Sequence, residues 1–243
     1  RVSPARPLAI GLQLDAPAAR ELLPAMGGLR EVLLDNGLYL ISIDGFSYEP
    51  LHGVGAREAP YRPDWTSPER VSYTLQLARI LSSVLPEGEI GTISTLPGHY
   101  GKGARPAALS NLLFIAHELA EIQQRTGRRI ILALEPEPDC LLDSRASTIS
   151  FFERLFQHDS SARRYVGVCL DCCHAAVAFE SPLEWFQEFR ARGIAVPKIQ
   201  VSASLRVKMS PDHRDLLRSF SQDGHLHQTR VVNRGKVLKF ADL

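Results

Sequence analysis

VGVCLDCCHAA, Val166 to Ala176, is the stretch whose reading decides the fold. Successive side chains of an extended chain point to opposite faces, so Val166, Val168 and Leu170 share one side while Gly167, Cys169 and Asp171 share the other. The apolar side asks for a helix to cover it. The opposite side ends in a carboxylate, and His174 follows three positions later. An anionic oxygen and an imidazole leaving one strand end are a donor pair suited to a divalent cation.

RIILALEPEP, Arg129 to Pro138, repeats the pattern. Ile130, Leu132 and Leu134 share one face, and Ile131, Ala133 and Glu135 the other, so Glu135 also closes a strand on the side away from its leucines. Taken singly, each carboxylate is an ordinary acidic residue after a strand. Two in the same register on neighbouring parallel strands converge, and in barrel folds the reacting groups gather at strand C-termini.

Working outward, alternation predicts further strands at Leu8–Leu14, Leu38–Ile43, Glu89–Thr95 and Pro197–Ala203. Helical patterns separate them. One runs from about Ala18, broken at Gly27-Gly28, to a left-handed cap at Asn36-Gly37. Another starts at the capping box Thr66-Ser67-Pro68-Glu69. Others span about Arg105 to Thr126, closed by Gly127, about Ser147 to Gln157, and from the Ser181 cap to Gly193. A short last helix follows Pro211. Arg230 to Phe240 reads as a strand pair turning at Asn233-Arg234-Gly235. Six strands alternating with helices make an α/β fold with parallel connections, and no linker divides residues 1–243, so one domain is expected. A doubly wound open sheet and a (β/α) barrel lacking two strands both fit. In Pro197–Ala203, Ile199, Val201 and Ala203 fall on the helix side and Lys198, Gln200 and Ser202 on the other. Gln13, Glu135, Asp171 and Gln200 face away from the helices, which suits a barrel lumen.

Composition narrows the chemistry. The 243 residues are 44% hydrophobic with a formal net charge of +1, which gives no general attraction to nucleic acid or to an anionic membrane. No apolar run reaches the ~20 residues that a membrane-spanning helix needs. Four cysteines, three of them at 169, 172 and 173, do not make a disulfide framework, and reducing, cytoplasmic conditions are expected. The sequence opens on Arg1 without a signal-like region, so a processed or partial chain is expected. Two loops stand out. Ser47 to Trp65 is long and carries His52 among its aromatics, which suits a segment that covers a substrate. Leu96 to Gly103 is rich in glycine and carries His99, without the spacing of a nucleotide phosphate loop.

Together these motifs resemble a known superfamily. GVCLDCCHAA is similar to the sixth-strand motif, and LALEPEP to the fifth-strand metal-glutamate motif, of the xylose isomerase-like TIM barrels, which include sugar phosphate isomerases and epimerases and the type IV AP endonucleases. With NGLYLISIDGFSYEPLHG, YRPDW, ISTLPGHYG and DGHLHQ, the set resembles the EboE group of metabolite traffic proteins across most of the chain from Leu8. The resemblance implies a (β/α)8 barrel of which about six units are present, the first and last strands lying outside this sequence. It implies a divalent metal, Mn, Mg or Zn, held by Glu135, Asp171 and His174. It places Gln200 where the next strand normally supplies a histidine. On this reading Glu137 or His227 moves a proton, and His52, His99 and Gln200 are the expected substrate contacts. The partner is a small polar metabolite. The implied activities are metal-dependent isomerisation or epimerisation, with phosphodiester hydrolysis and metabolite binding without catalysis as the alternatives.

Overall fold

The structure, a computed structural model, describes residues 6–49, 59–103, 105–208, 210–220 and 228–240. Strands β1 (Leu8–Gln13), β2 (Leu38–Asp44), β3 (Ile90–Thr95), β4 (Arg129–Leu134), β5 (Val166–Asp171) and β6 (Ala195–Gln200) form one sheet in chain order, every neighbouring pair parallel. The crossovers carry α1 (Ala16–Leu22), α2 (Met26–Asp35), α3 (Pro68–Val84), α4 (Pro106–Thr126), α5 (Arg145–His158), α6 (Cys172–Val177) and α7 (Pro182–Ala191). Beyond the sheet lie α8 (Pro211–Phe220) and a hairpin of β7 (Thr229–Asn233) and β8 (Lys236–Phe240). Arg234 and Gly235 both have positive φ, at 48° and 76°, the two-residue turn whose twist matches that of the strands it joins.

The sheet is curled. β6 and β2 stand four strand spacings apart in order, which in a flat sheet is ~19 Å. Yet Lys198 Nζ on β6 lies 3.9 Å from Asp44 Oδ2 on β2 and donates to Ser94 Oγ on β3 at 2.8 Å. Only closure around a lumen brings these groups together. The chain is therefore an open (β/α) barrel of six strands, not a doubly wound sheet. One face of each of β2 to β5 packs under the helices through Leu40, Ile43, Ile93, Leu132, Leu134, Val166 and Val168, all buried. The other face points Asp44, Ser94, Asp171 and Lys198 inward. Gly167 marks a tight approach between β5 and β6, for a Cβ there would meet Ala195 O at 2.6 Å, where the register also shifts.

Several boundaries differ from those read in the sequence. The first helical segment breaks at Leu23–Ala25, a single 3₁₀ turn, and not at Gly27-Gly28, which sit inside α2. Pro24 explains the break, because it cannot donate to the preceding turn. Ser67, not Thr66, caps α3. β6 stops at Gln200 and does not reach Ala203, and it has an edge position. Ile199 and Val201, expected beneath a helix, are 48% and 94% exposed. The short α6 was not anticipated: Asp171 Oδ1 accepts from the Cys173 amide at 2.8 Å and caps it.

Arg70, on α3, pins the long β2–α3 connection. It is fully buried, and its guanidinium donates to Pro63 O, Gly45 O and Phe46 O at 2.8, 2.9 and 3.0 Å, with the rings of Tyr48 and Tyr73 within 5.8 Å. Its charge thus goes to carbonyl dipoles and aromatic faces, although burial draws its pKa down to about 10. Arg70→Leu orphans three buried carbonyls and is expected to cost about 3–5 kcal/mol of unfolding free energy. A urea denaturation midpoint unchanged in that variant would contradict this role.

Candidate metal centre

Parallel strands put all their C-terminal ends at one mouth, which is where β4 and β5 deliver their acidic residues. Glu135 directly follows β4 and continues the ladder, its amide donating to Thr95 O at 2.9 Å. Asp171 is the last residue of β5, beside Gln200 of β6 in register. Between the two carboxylates stands His174, on the first turn of α6. Its Nδ1 lies 2.9 Å from Pro136 O and 3.8 Å from Glu135 Oε1. A carbonyl only accepts, so Nδ1 carries the hydrogen and Nε2 keeps its lone pair, the arrangement that orients a metal-ligating imidazole.

Asp171, Cys173 and His174 each offer a donor atom, and those atoms lie within 4.8 Å of one another. Asp171 Oδ1 is held by the Cys173 amide and by the Ser202 hydroxyl, which also accepts from that amide at 2.9 Å. Burial acts to raise the Asp171 pKa, but Ser202, His174 and Cys173 outweigh it and hold the carboxylate below its ordinary value.

Glu135 is in the opposite condition. It is 6% exposed, and among the described residues its carboxylate accepts no hydrogen bond. Burial, then the charges of Asp171, Asp44 and Glu137, push its pKa up to about 8, while Lys198 pulls the other way. A buried carboxyl crowded by like charges, next to one that stays ionised, is an environment short of a positive charge. The donor chemistry and this crowded group fit a divalent cation.

Glu137, two residues on, is walled in separately. Its Oε1 accepts from Tyr61 Oη at 2.8 Å and from Gln228 Nε2 at 3.0 Å, while Oε2 is buried without a partner among the described residues. Burial raises its pKa. The β7–β8 hairpin braces this corner, with Arg230 Nη2 donating to Asp139 Oδ1 at 2.7 Å and Lys239 Nζ to Asp143 Oδ2 at 2.9 Å.

The expected site residues thus separate. Glu135, Asp171 and His174 share one mouth, with Glu137 close enough for its charge to be felt by His174's neighbourhood and Gln200 on the adjacent strand. His99 is fully buried, its Nδ1 and Nε2 lying 3.0 Å from Tyr100 O and 2.9 Å from Gly103 O, so its ring braces the glycine-rich loop. His52 and His227 lie outside the described residues. Cys173, Ser202 and Lys198 enter the site without having been singled out for it. Alternation along Pro197–Ala203 did put Lys198 on the face away from the helices, and that was the available signal. The open seam between β1 and β6 forms a cleft of about 570 Å³ lined in part by Gln13, Asp44 and Lys198.

No protein-family model matches the chain, and no curated protein matches it. Solved structures do. A probable 3-DHS dehydratase, AsbF, from Bacillus anthracis is 17% identical over 74% of this chain and 59% of its own, with a TM-score of 0.48. The 3-keto-D-glucoside 4-epimerase YcjR from E. coli is 14% identical over 86% of this chain and 88% of its own, with a TM-score of 0.46. A family 2 AP endonuclease from Brucella melitensis is 14% identical over 88% of both chains, with a TM-score of 0.48. This chain therefore spans less than two thirds of the dehydratase's length.

Without metal, Glu135 keeps its proton in the native state between its ordinary 4.5 and about 8, where the unfolded chain has lost it. The native state then binds more protons, so its stability falls as pH rises through that window. Glu135→Gln removes the penalty. The metal-stripped variant should melt at the same temperature as wild type near pH 4.5 and on the order of several degrees higher near pH 8. A variant no more stable than wild type at the higher pH would contradict the crowding of charge at this mouth.

Proposed function

We propose that this chain is the barrel of a divalent-metal-dependent isomerase- or epimerase-like protein acting on a small polyhydroxylated metabolite. The observation that carries the reading is the meeting of Glu135, Asp171 and His174 at one strand-end mouth, with Glu137 buried beside them. Asp171 and His174 would hold the cation, and Glu135 supplies the next anion. A bound divalent ion would supply Lewis-acid polarisation of a substrate carbonyl oxygen. Lys198, held in the lumen by Ser94 and near Asp44, adds a cationic group that orients an anionic or carbonyl oxygen.

Glu137 is suited to proton transfer. Burial raises its pKa above the ordinary carboxylate value, and Oε2 has no partner among the described residues to compete with a substrate proton. Tyr61 and Gln228 fix Oε1, which leaves Oε2 as the working oxygen. Proton transfer through Glu137 and substrate contact by Gln200 belong to the same proposal.

A second reading is favoured by one position. Gln200, opposite Asp171, is a neutral amide and a poorer ligand than histidine or carboxylate. A pocket with a weakened shell suits a carrier, in keeping with the resemblance to metabolite traffic proteins. The two readings divide on chelation, because a carrier keeps its ligand when metal is stripped and the enzyme does not.

Asp171→Asn is expected to weaken divalent-metal affinity by at least ~10-fold, measured by calorimetric titration with Mn²⁺ or Zn²⁺ on the full chain. Glu137→Gln should retain metal yet abolish exchange of substrate carbon-bound hydrogen with deuterated solvent across a panel of ketoses. Wild-type protein that binds metal but exchanges no hydrogen with any of them would sink the isomerase reading and leave the carrier.

A further inference from the structure

We propose that the thiolate of Cys173 is itself a ligand, which makes this a carboxylate–thiolate–imidazole site selective for zinc-like ions over magnesium or manganese. The inference rests on the metal reading above and goes beyond it by naming the ion class and a ligand that the fold does not require.

Three observations converge. The donor atoms of Asp171, Cys173 and His174 lie within 4.8 Å of one another. Tetrahedral zinc with bonds of ~2.0–2.3 Å spaces its ligands by roughly 3.5 Å, so closure around an ion needs movement of only about an ångström. The local backbone is held in place: Asp171 caps α6, and the Cys173 amide is fixed by Asp171 Oδ1 and Ser202 Oγ at 2.8 and 2.9 Å. Independently, the nine-tenths-buried Glu135 carboxylate, with no hydrogen bond among the described residues, faces the same imidazole at 3.8 Å. Cys172 is not in the cluster; Cys169 is buried on the lumen face of β5 near Glu135 yet outside the three-donor cluster, and Cys140 is buried beside Glu137.

A hard shell of oxygens serves magnesium or manganese, whereas a thiolate with imidazole favours zinc and cobalt. In the binding step the Cys173 S–H bond breaks, the sulfur lone pair forms the bond to the metal, and the proton passes to solvent. No oxidant or reductant takes part.

The probe is Co²⁺ alone, added to the metal-stripped full chain under reducing conditions. Wild type should show a thiolate-to-cobalt charge-transfer absorption in the near ultraviolet. Cys173→Ser should lose that band and at least ~10-fold of its Zn²⁺ affinity while keeping its Mn²⁺ affinity, and Cys172→Ser should retain both. As a check that needs no variant, Zn²⁺ should protect Cys173 of wild type from alkylation, mapped by mass spectrometry, and leave Cys172 reactive. Cobalt that binds without a charge-transfer band, a band that survives in Cys173→Ser, or Cys173 alkylated equally with and without zinc overturns the inference and leaves the metal reading standing. Failure of wild type to bind any divalent ion overturns both.

Discussion

One buried carboxylate crowded by three other carboxylates, with Lys198 pulling the other way, is the constraint on which the site depends. Glu135 sits under the barrel mouth, desolvated and facing Asp171, Asp44 and Glu137, with Lys198 as the opposing charge. A low-dielectric environment magnifies each of these repulsions. Retaining the proton is one solution and accepting a cation is the other, so a single side chain couples protonation, stability and ligand binding. Asp171, a strand away, is held ionised by a hydroxyl, an amide and an imidazole. Two carboxyl groups at one mouth have had their proton affinities driven apart by their surroundings, the pattern that marks sites of acid–base and metal chemistry.

The barrel's curvature creates this condition. In a flat sheet Asp44 and Lys198 would be far apart; here they come within 3.9 Å, and the acidic ends of β2, β4 and β5 look into a common lumen. The apolar faces of the same strands bury under α3, α4 and α5, and that packing holds the charged face in place. Arg70 performs the corresponding task outside the lumen, gathering the β2–α3 connection by its carbonyls. The β7–β8 hairpin does so at the far side of the mouth, where Gln228 and Arg230 tie Glu137 and Asp139 to the same corner.

Much of this was legible in the residues. Strict alternation in Val166–Asp171 and Arg129–Leu134 gave both strands their faces and put Glu135 and Asp171 at matching ends, because period two leaves no freedom once one face is apolar. The lumen direction of Lys198 followed from the same rule. Other features were not written in local pattern. The break at Leu23–Ala25 came from Pro24, whose lost donor outweighed two helical glycines. The exposure of Ile199 reflects an edge strand, which an alternation cannot distinguish from a covered one, and Val201 lies past the strand's end. His99 was expected to contact substrate, yet the loop folds back so that two of its own carbonyls lie beside the ring. Cys173 and Ser202 join the site because Asp171 starts a helix, a tertiary consequence of a side chain capping its own exit turn.

The central claim is that these residues share one cation. An anomalous-difference map from crystals of the full chain grown with Zn²⁺ tests it most directly. The account predicts a peak within bonding distance of Asp171 and His174, on the lumen side of α6 and beside Glu135. A peak confined to surface histidines, or a clear mouth at saturating metal with Glu135 and Asp171 turned apart, would contradict it.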